Sequence, residues 1–91
     1  LPTPELMVAM KINSLPNRDK EHKRIKDLCD LFALLWYSSP AVNIEKSKEF
    51  VPEEKIVQCV KTITIEDIRQ ASPLLNHSAA DIQRVIQNLK R

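Results

Sequence analysis

Residues 19–37, DKEHKRIKDLCDLFALLWY, carry the pattern that decides the fold. Their apolar side chains recur every three or four residues, which is the spacing of one buried face of an α-helix. The positions on that face are Ile25, Leu28, Cys29, Phe32, Leu35 and Trp36. We therefore predict a long helix from Asp19 to about Tyr37, ended by Ser38-Ser39-Pro40.

Residues that typically begin a helix mark shorter helices on both sides of this segment. The starts are Thr3 before Pro4, Val51 before Pro52, Thr64 with Asp67 three residues later, and Ser78 with Asp81 three residues later. The predicted helices extend over residues 3–15, 52–62, 64–72 and 78–91, with a weaker helical pattern over 41–51. Pro16-Asn17 ends the first of these helices, and Pro73 ends the one that starts at Thr64.

The composition supports an all-helical domain. The chain has 91 residues and no glycine, which disfavours tight hairpins and glycine-rich nucleotide loops. Hydrophobic residues make up 43% and charged residues 29%, as in ordinary globular domains. We predict an all-α fold, a small irregular bundle of five or six helices in one domain, 1–91. Because the sequence begins at Leu1 rather than Met, we expect it to be a fragment of a larger protein.

Charge and cysteine content exclude several classes of function. A net charge of +2 is too small to argue by itself for nucleic-acid binding. Cys29 and Cys59 are thirty residues apart without a CxxC spacing, so we expect reduced core thiols and no metal site. No apolar run approaches the roughly 20 residues of a membrane span. We predict a cytoplasmic protein without a membrane partner.

The first predicted helix is apolar on nearly all sides, and Lys11 lies in its narrow polar strip. A lysine among buried positions either extends to water or meets an anion. One small bundle cannot cover the apolar surface of such a helix on every side. We therefore expect the fragment to form a homodimer through this helix. The residues expected at that interface are Leu6, Met7, Met10 and Trp36.

Two carboxylates, Asp27 and Asp30, share a face of the long helix with Leu31 and Leu34. A partly buried carboxylate is costly unless a cation or hydrogen-bond donor meets it, so we expect Asp30 in particular to have such a partner. The alternative is surface pairing with Lys23, Arg24 or Lys26. The cation-rich stretch 18–26, RDKEHKRIK, is either a solvated face or a phosphate-contacting patch; its histidine has no partner at nucleophile or metal spacing.

The segment 4–35, PELMVAMKINSLPNRDKEHKRIKDLCDLFALL, resembles the C-terminal motifs of AbiEii-type nucleotidyltransferases. This family is a branch of the DNA polymerase β-like superfamily and includes toxins of toxin–antitoxin systems. Its pattern is a helix E-x-x-x-A-x-K, a turn that contains arginine, and a helix with D-x-x-D-L. The matching residues here are Glu5, Ala9, Lys11, Arg18 and Asp27 to Leu31.

The resemblance implies that Lys11 reaches the triphosphate of a nucleoside triphosphate and that Asp27 organises this lysine, so both are candidate catalytic residues. Arg18 and Lys23 are candidate substrate-binding residues beside Lys11. Asp30 is expected to anchor the helix or support the site without touching substrate. The implied function is the helical C-terminal domain of a nucleotidyltransferase, with RNA as a candidate acceptor.

The chain departs from the family where metal is bound. These enzymes carry Gly-Ser and an Asp-x-Asp pair in an N-terminal domain, where the acids hold two metal ions. No glycine and no D-x-D pair occurs here, so we expect this chain alone to be inactive. Mg²⁺ and the nucleoside triphosphate are expected in a full-length protein, with the missing N-terminal domain as partner. The alternatives are a structural dimerisation domain, or a helical interaction or nucleic-acid-binding module in which 64–72 and 78–91 form a helix-turn-helix.

Overall fold

The computed structural model describes residues 3–38 and 41–90, without the side chain of Lys90. The described residues form six α-helices and no strand, which confirms the predicted all-α bundle of five or six helices. The helices are α1 (Pro4–Ser14), α2 (Glu21–Tyr37), α3 (Ile44–Ser47), α4 (Glu53–Thr62), α5 (Ile65–Leu75) and α6 (Ala79–Gln87). Short 3₁₀ turns follow α1 at Leu15–Asn17 and α6 at Asn88–Lys90.

Three of the predicted helix starts, at Thr3, Thr64 and Ser78, are confirmed by capping bonds. The fourth differs by one residue, because α4 begins at Glu53 with Pro52 at the N-cap and without a side-chain capping bond. The hydroxyl of Thr3 accepts from the backbone N–H of Leu6 at 3.2 Å, and Ser78 accepts from the N–H of Asp81 at 3.2 Å. Thr64 and Asp67 form the full capping box, each side chain accepting from the other residue's N–H at 3.1 Å. Each bond satisfies a helix N–H that would otherwise lack a partner.

The predicted stop at Pro73 is wrong. Pro73 lies inside α5, which continues to Leu75 and ends where Asn76 adopts a left-handed conformation with φ of 57°. A proline removes a single helical hydrogen bond, and α5 continues for just two residues beyond it. Asparagine tolerates the left-handed region better than most residues, so it ends the helix in place of the absent glycine.

Other boundaries also differ from the prediction. Helix α2 begins at Glu21 rather than Asp19, with Lys20 as an N-cap whose side chain makes no capping bond. The weak pattern over 41–51 yields the four-residue α3, capped by Asn43. The 3₁₀ turn at Asn88–Lys90 replaces the predicted end of the last helix. Ser39, Pro40 and Arg91, which carried boundary predictions, lie outside the described residues.

The centre of the bundle is α2, which packs against α1, α5 and α6. Two of its sides are buried, because Leu31 on the carboxylate side is as inaccessible as Leu28 on the predicted apolar face. Trp36 was predicted to face inward but is 40% exposed, since it stacks on Phe32 at the edge of the core. Elsewhere the core contains Val8, Ala9, Ile12, Leu15, Ile56, Cys59, Val60, Ile68, Ala71, Ile82, Ile86 and Leu89.

Helix α1 buries part of its circumference against α2, α3 and α4. Val8, Ala9 and Ile12 are buried, whereas Met7 is 38% and Met10 59% exposed. These two methionines leave apolar surface of α1 exposed, and the homodimer stays a prediction. Among the described residues, no helix combines the length and apolarity needed to cross a membrane.

Candidate functional site

Three of the predicted site residues meet where α1 crosses α2. The Nζ of Lys11 on α1 lies 2.9 Å from Oδ2 of Asp30 and 3.3 Å from Oδ1 of Asp27, both on α2. The two carboxylates are on one face because they are three residues apart in the helix. Two alternatives were predicted for Lys11, extension to water or contact with an anion. The structure shows contact with two carboxylates.

Asp27 is the buried member of this cluster, with a side chain 4% exposed. Its Oδ2 accepts from Nε of Arg18 at 2.8 Å and from the hydroxyl of Ser14 at 3.0 Å. Burial raises the pKa of Asp27, but the hydrogen bonds from Arg18, Ser14 and Lys11 outweigh it and hold the pKa below its ordinary value. Asp27 is therefore an ionised group that joins α1, the following turn and α2.

Asp30 is the outer carboxylate, with a side chain 35% exposed. Its Oδ2 accepts from Lys11 and, at 2.9 Å, from Nζ of Lys26 one helical turn away. Burial raises the pKa of Asp30, but the hydrogen bonds from Lys26 and Lys11 lower it by more. The pKa of Asp30 therefore lies below its ordinary value. The alternative of surface pairing with Lys23, Arg24 or Lys26 is therefore correct for the contact between Asp30 and Lys26. It does not hold for Asp27, which is buried and has other partners.

Lys11 remains a cation in this setting. Its hydrogen bond to Asp30 is the main cause that raises its pKa above the ordinary value; burial opposes this and Asp27 adds to it. A lysine held in the charged form cannot act as a general base, because it has no free electron pair to accept a proton. The chemistry open to Lys11 is attraction of a negative group. Its side chain is 27% exposed and accessible to such a group.

The Lys11 side chain opens into a surface groove between α1 and α2. The groove has a volume of about 500 Å³ and is lined by Met7, Lys11, Asp30, Ala33, Leu34, Tyr37 and Ser38. Its walls are mostly apolar, and the charged pair of Lys11 and Asp30 occupies part of its lining. This combination of apolar walls and a few polar groups is typical of small-molecule sites.

The remaining predicted residues, Arg18 and Lys23, lie beside the cluster. Both line a depression of about 170 Å³ together with Asn17, Asp19 and Lys20. Arg18 belongs to the cluster through its bond to Asp27, whereas Lys23 is exposed and lines only the depression. The structure thus brings Lys11, Asp27, Asp30 and Arg18 together and places Lys23 next to them.

Two contributors were missed by the sequence reasoning. Ser14, which donates to Asp27, lies three residues after Lys11 and so on the same strip of α1, a spacing that could have identified it. The second is an ion pair in which the half-buried Arg24 donates to both oxygens of the buried Asp67 at 2.9 and 3.0 Å. This pair fixes α5 to α2, and a sequence separation of 43 left no local signal for it.

Metal ligation and thiol chemistry have little support in this part of the chain. Among residues 3–38 and 41–90, no group of three or more His, Cys, Asp or Glu side chains is placed to hold a metal ion. Cys29 and Cys59 are both free thiols. Burial raises the pKa of Cys59 to about 12, and it also raises the pKa of the half-buried Cys29, so neither thiol is activated. The prediction of core thiols is confirmed for Cys59, whereas Cys29 lies at the edge of the core.

The alternative helix-turn-helix has the expected outline but a weak recognition surface. Helices α5 and α6 pack against each other and are joined by residues 76–78. The exposed positions of α6 are Ala80, Gln83, Arg84 and Gln87, and the guanidinium of Arg84 donates to Asp81 at 3.0 Å. One cation with an acidic partner provides little attraction for a phosphate backbone.

Comparison of the chain with known protein families, curated proteins and solved structures finds no match.

Proposed function

We propose that this chain is the helical C-terminal domain of a nucleotidyltransferase, in which Lys11 contacts the triphosphate of a bound nucleoside triphosphate. The observation that carries the proposal is the cluster of Lys11, Asp27 and Asp30 beside an open groove. In the proposal, Asp27 positions Lys11, and Asp30 supports it from the solvent side. The resemblance of residues 4–35 to AbiEii-type nucleotidyltransferases singles out the same residues.

The energetics of the cluster support a role beyond folding. Burying Asp27 removes a carboxylate from water, and a buried ion pair is often no more stabilising than apolar side chains of equal volume. Three donors offset that cost and fix Asp27 in position. The fixed carboxylate in turn restrains Lys11. A cation restrained before the ligand arrives loses less entropy on binding and is better oriented towards phosphate.

The chemistry of transfer is assigned to a partner domain. Nucleotidyl transfer needs metal ions to stabilise charge on the α-phosphate, and in this proposal the Mg²⁺ ligands come from the N-terminal domain. The described residues of this chain supply positive charge and position instead. Arg18 and Lys23 add two cations at the neighbouring depression, where the acceptor or the outer phosphates would lie. Toxin activity, a cognate antitoxin and an RNA acceptor are further proposals that follow from the family resemblance.

Binding of inorganic tripolyphosphate to the 91-residue chain tests the role of Lys11. At fixed ionic strength, the Lys11→Ala variant should bind at least about tenfold more weakly, equivalent to about 1.4 kcal/mol, because a hydrogen bond to a charged group is lost. The matched control is Lys61→Ala, which removes an equally charged, exposed side chain from α4. Similar weakening by both variants would mean that the chain attracts anions through its overall charge, and the proposal would then fail.

A further inference from the structure

The groove between α1 and α2 is lined by two polar residues that the proposed function does not use. These are Tyr37 and Ser38, which line it together with Lys11 and Asp30. Asp30 and Tyr37 are seven residues apart on α2, so they lie on the same face and about 10 Å apart along the helix axis. Met7, Ala33 and Leu34 contribute the apolar surface of the groove.

Tyr37 is both exposed and held in place. Its side chain is 62% exposed, and its hydroxyl shares a hydrogen bond of 2.7 Å with Nε2 of His77 in the α5–α6 turn. The His77 ring also packs at 4.9 Å from the rings of Phe32 and Trp36. An exposed aromatic ring that is already oriented offers a flat surface at low entropic cost.

We infer that this groove binds the nucleoside part of the triphosphate, with the base stacked on Tyr37 and the phosphates directed towards Lys11. This inference rests on the proposed function and adds the means by which the chain recognises a base. A ligand for this groove needs an apolar planar part and an anionic part at opposite ends, and a nucleotide has both. The volume of about 500 Å³ lies within the range of small-molecule sites.

Asp30 fits the same arrangement. Its carboxylate also lines the groove and, although two lysines donate to it, retains acceptor capacity, since a carboxylate accepts up to about four hydrogen bonds. A carboxylate next to a nucleotide binds hydroxyl or amino groups and repels phosphate. We therefore place the ribose hydroxyls near Asp30. Stacking on one aromatic ring tolerates any base, so the groove selects nucleotides over inorganic phosphates without selecting a particular base.

The test compares adenosine triphosphate with inorganic tripolyphosphate, each titrated into the 91-residue chain and followed by NMR at fixed ionic strength. The wild-type chain should bind adenosine triphosphate about tenfold more tightly, because base stacking adds to phosphate attraction. Tyr37→Ala should abolish that difference and leave tripolyphosphate binding unchanged. Tyr37→Phe, which keeps the ring and loses the hydrogen bond to His77, should retain most of the difference.

The outcomes separate this inference from the proposed function. Equal binding of the two ligands by the wild-type chain, or a preference that survives Tyr37→Ala, overturns the nucleoside groove while leaving Lys11 as a phosphate contact. If Lys11→Ala leaves tripolyphosphate binding unchanged, or if neither ligand binds, both the nucleoside groove and the proposed role of Lys11 are overturned. If Tyr37→Ala changes the oligomeric state and not the ligand preference, the groove is an interface between copies of the chain, and the inference is wrong.

Discussion

Replacement of Asp27 by asparagine should destabilise the fold strongly for so small a chemical change. The side chain of Asp27 is 4% exposed and accepts hydrogen bonds from Arg18, Ser14 and Lys11. Breaking a buried ion pair costs about 3–5 kcal/mol, and losing a hydrogen bond to a charged group about 1.5–3 kcal/mol. Lys11 keeps its ion pair with Asp30, and Arg18 is 40% exposed to water, so both cations are partly compensated. We therefore expect the free energy of unfolding to fall by about 2 kcal/mol, near the lower end of these ranges.

The assay is thermal unfolding followed by circular dichroism at neutral pH. For a domain of this size, about 2 kcal/mol corresponds to a fall in Tm of about 8–16 °C. The matched control is Asp81→Asn, because Asp81 pairs with Arg84 on the surface of α6, where the two side chains are 36% and 65% exposed. A surface pair of this kind contributes little, so the control should change stability by less than about 1 kcal/mol.

The pH dependence gives this prediction a second measurement. The pKa of Asp27 in the folded chain lies below its ordinary value, so its contribution is complete above the unfolded pKa of about 3.9. It is lost as the pH falls through the folded pKa. The difference in stability between wild type and Asp27→Asn should be constant between about pH 5 and 7 and shrink below about pH 4. Equal stability of the two proteins at neutral pH would refute the view that Asp27 is a buried, ionised anchor.

Three further predictions concern the rest of the chain. Arg24→Gln should cost about 3 kcal/mol at neutral pH in the same unfolding assay, because it leaves the buried Asp67 carboxylate without its guanidinium partner; unchanged stability would contradict a buried pair. The wild-type chain should sediment as a dimer at micromolar concentrations, and Met10→Glu should make it monomeric, because Met10 is 59% exposed on α1; a monomeric wild type would show that α1 needs no further partner. The isolated chain with Mg²⁺ and the four nucleoside triphosphates should transfer no nucleotide to RNA or protein, and metal-dependent incorporation by pure protein would overturn the assignment of catalysis to another domain.

The helices were predictable because their signals are local. Thr3, Thr64 and Ser78 each cap a helix through a bond to a residue three positions later, and the periodicity of 19–37 identified the central helix. Pro73 misled the prediction because a proline disfavours a helix without forbidding it when few turns remain. The true stop at Asn76 depends on a left-handed conformation that asparagine tolerates but does not require, so the residue type alone did not mark a helix end.

The residues of the site were easier to predict than their contacts. Lys11 and Asp27 were identified because each is a charge among apolar neighbours, a property visible within one helix. That Lys11 pairs with both Asp27 and Asp30 depends on how α1 crosses α2, which periodicity does not specify. For the same reason the sequence did not predict that Tyr37 would share a groove with Lys11.

The proposed role of Lys11 is tested most directly by turnover in the parent nucleotidyltransferase that we propose contains this domain. The Lys11→Ala variant should lower kcat for nucleotide transfer by about tenfold or more, equivalent to at least about 1.4 kcal/mol of barrier, with unchanged helix content. Lys61→Ala, the surface control on α4, should have wild-type turnover. A Lys11→Ala enzyme as fast as the wild type would contradict the account and reduce the cluster to a structural ion pair.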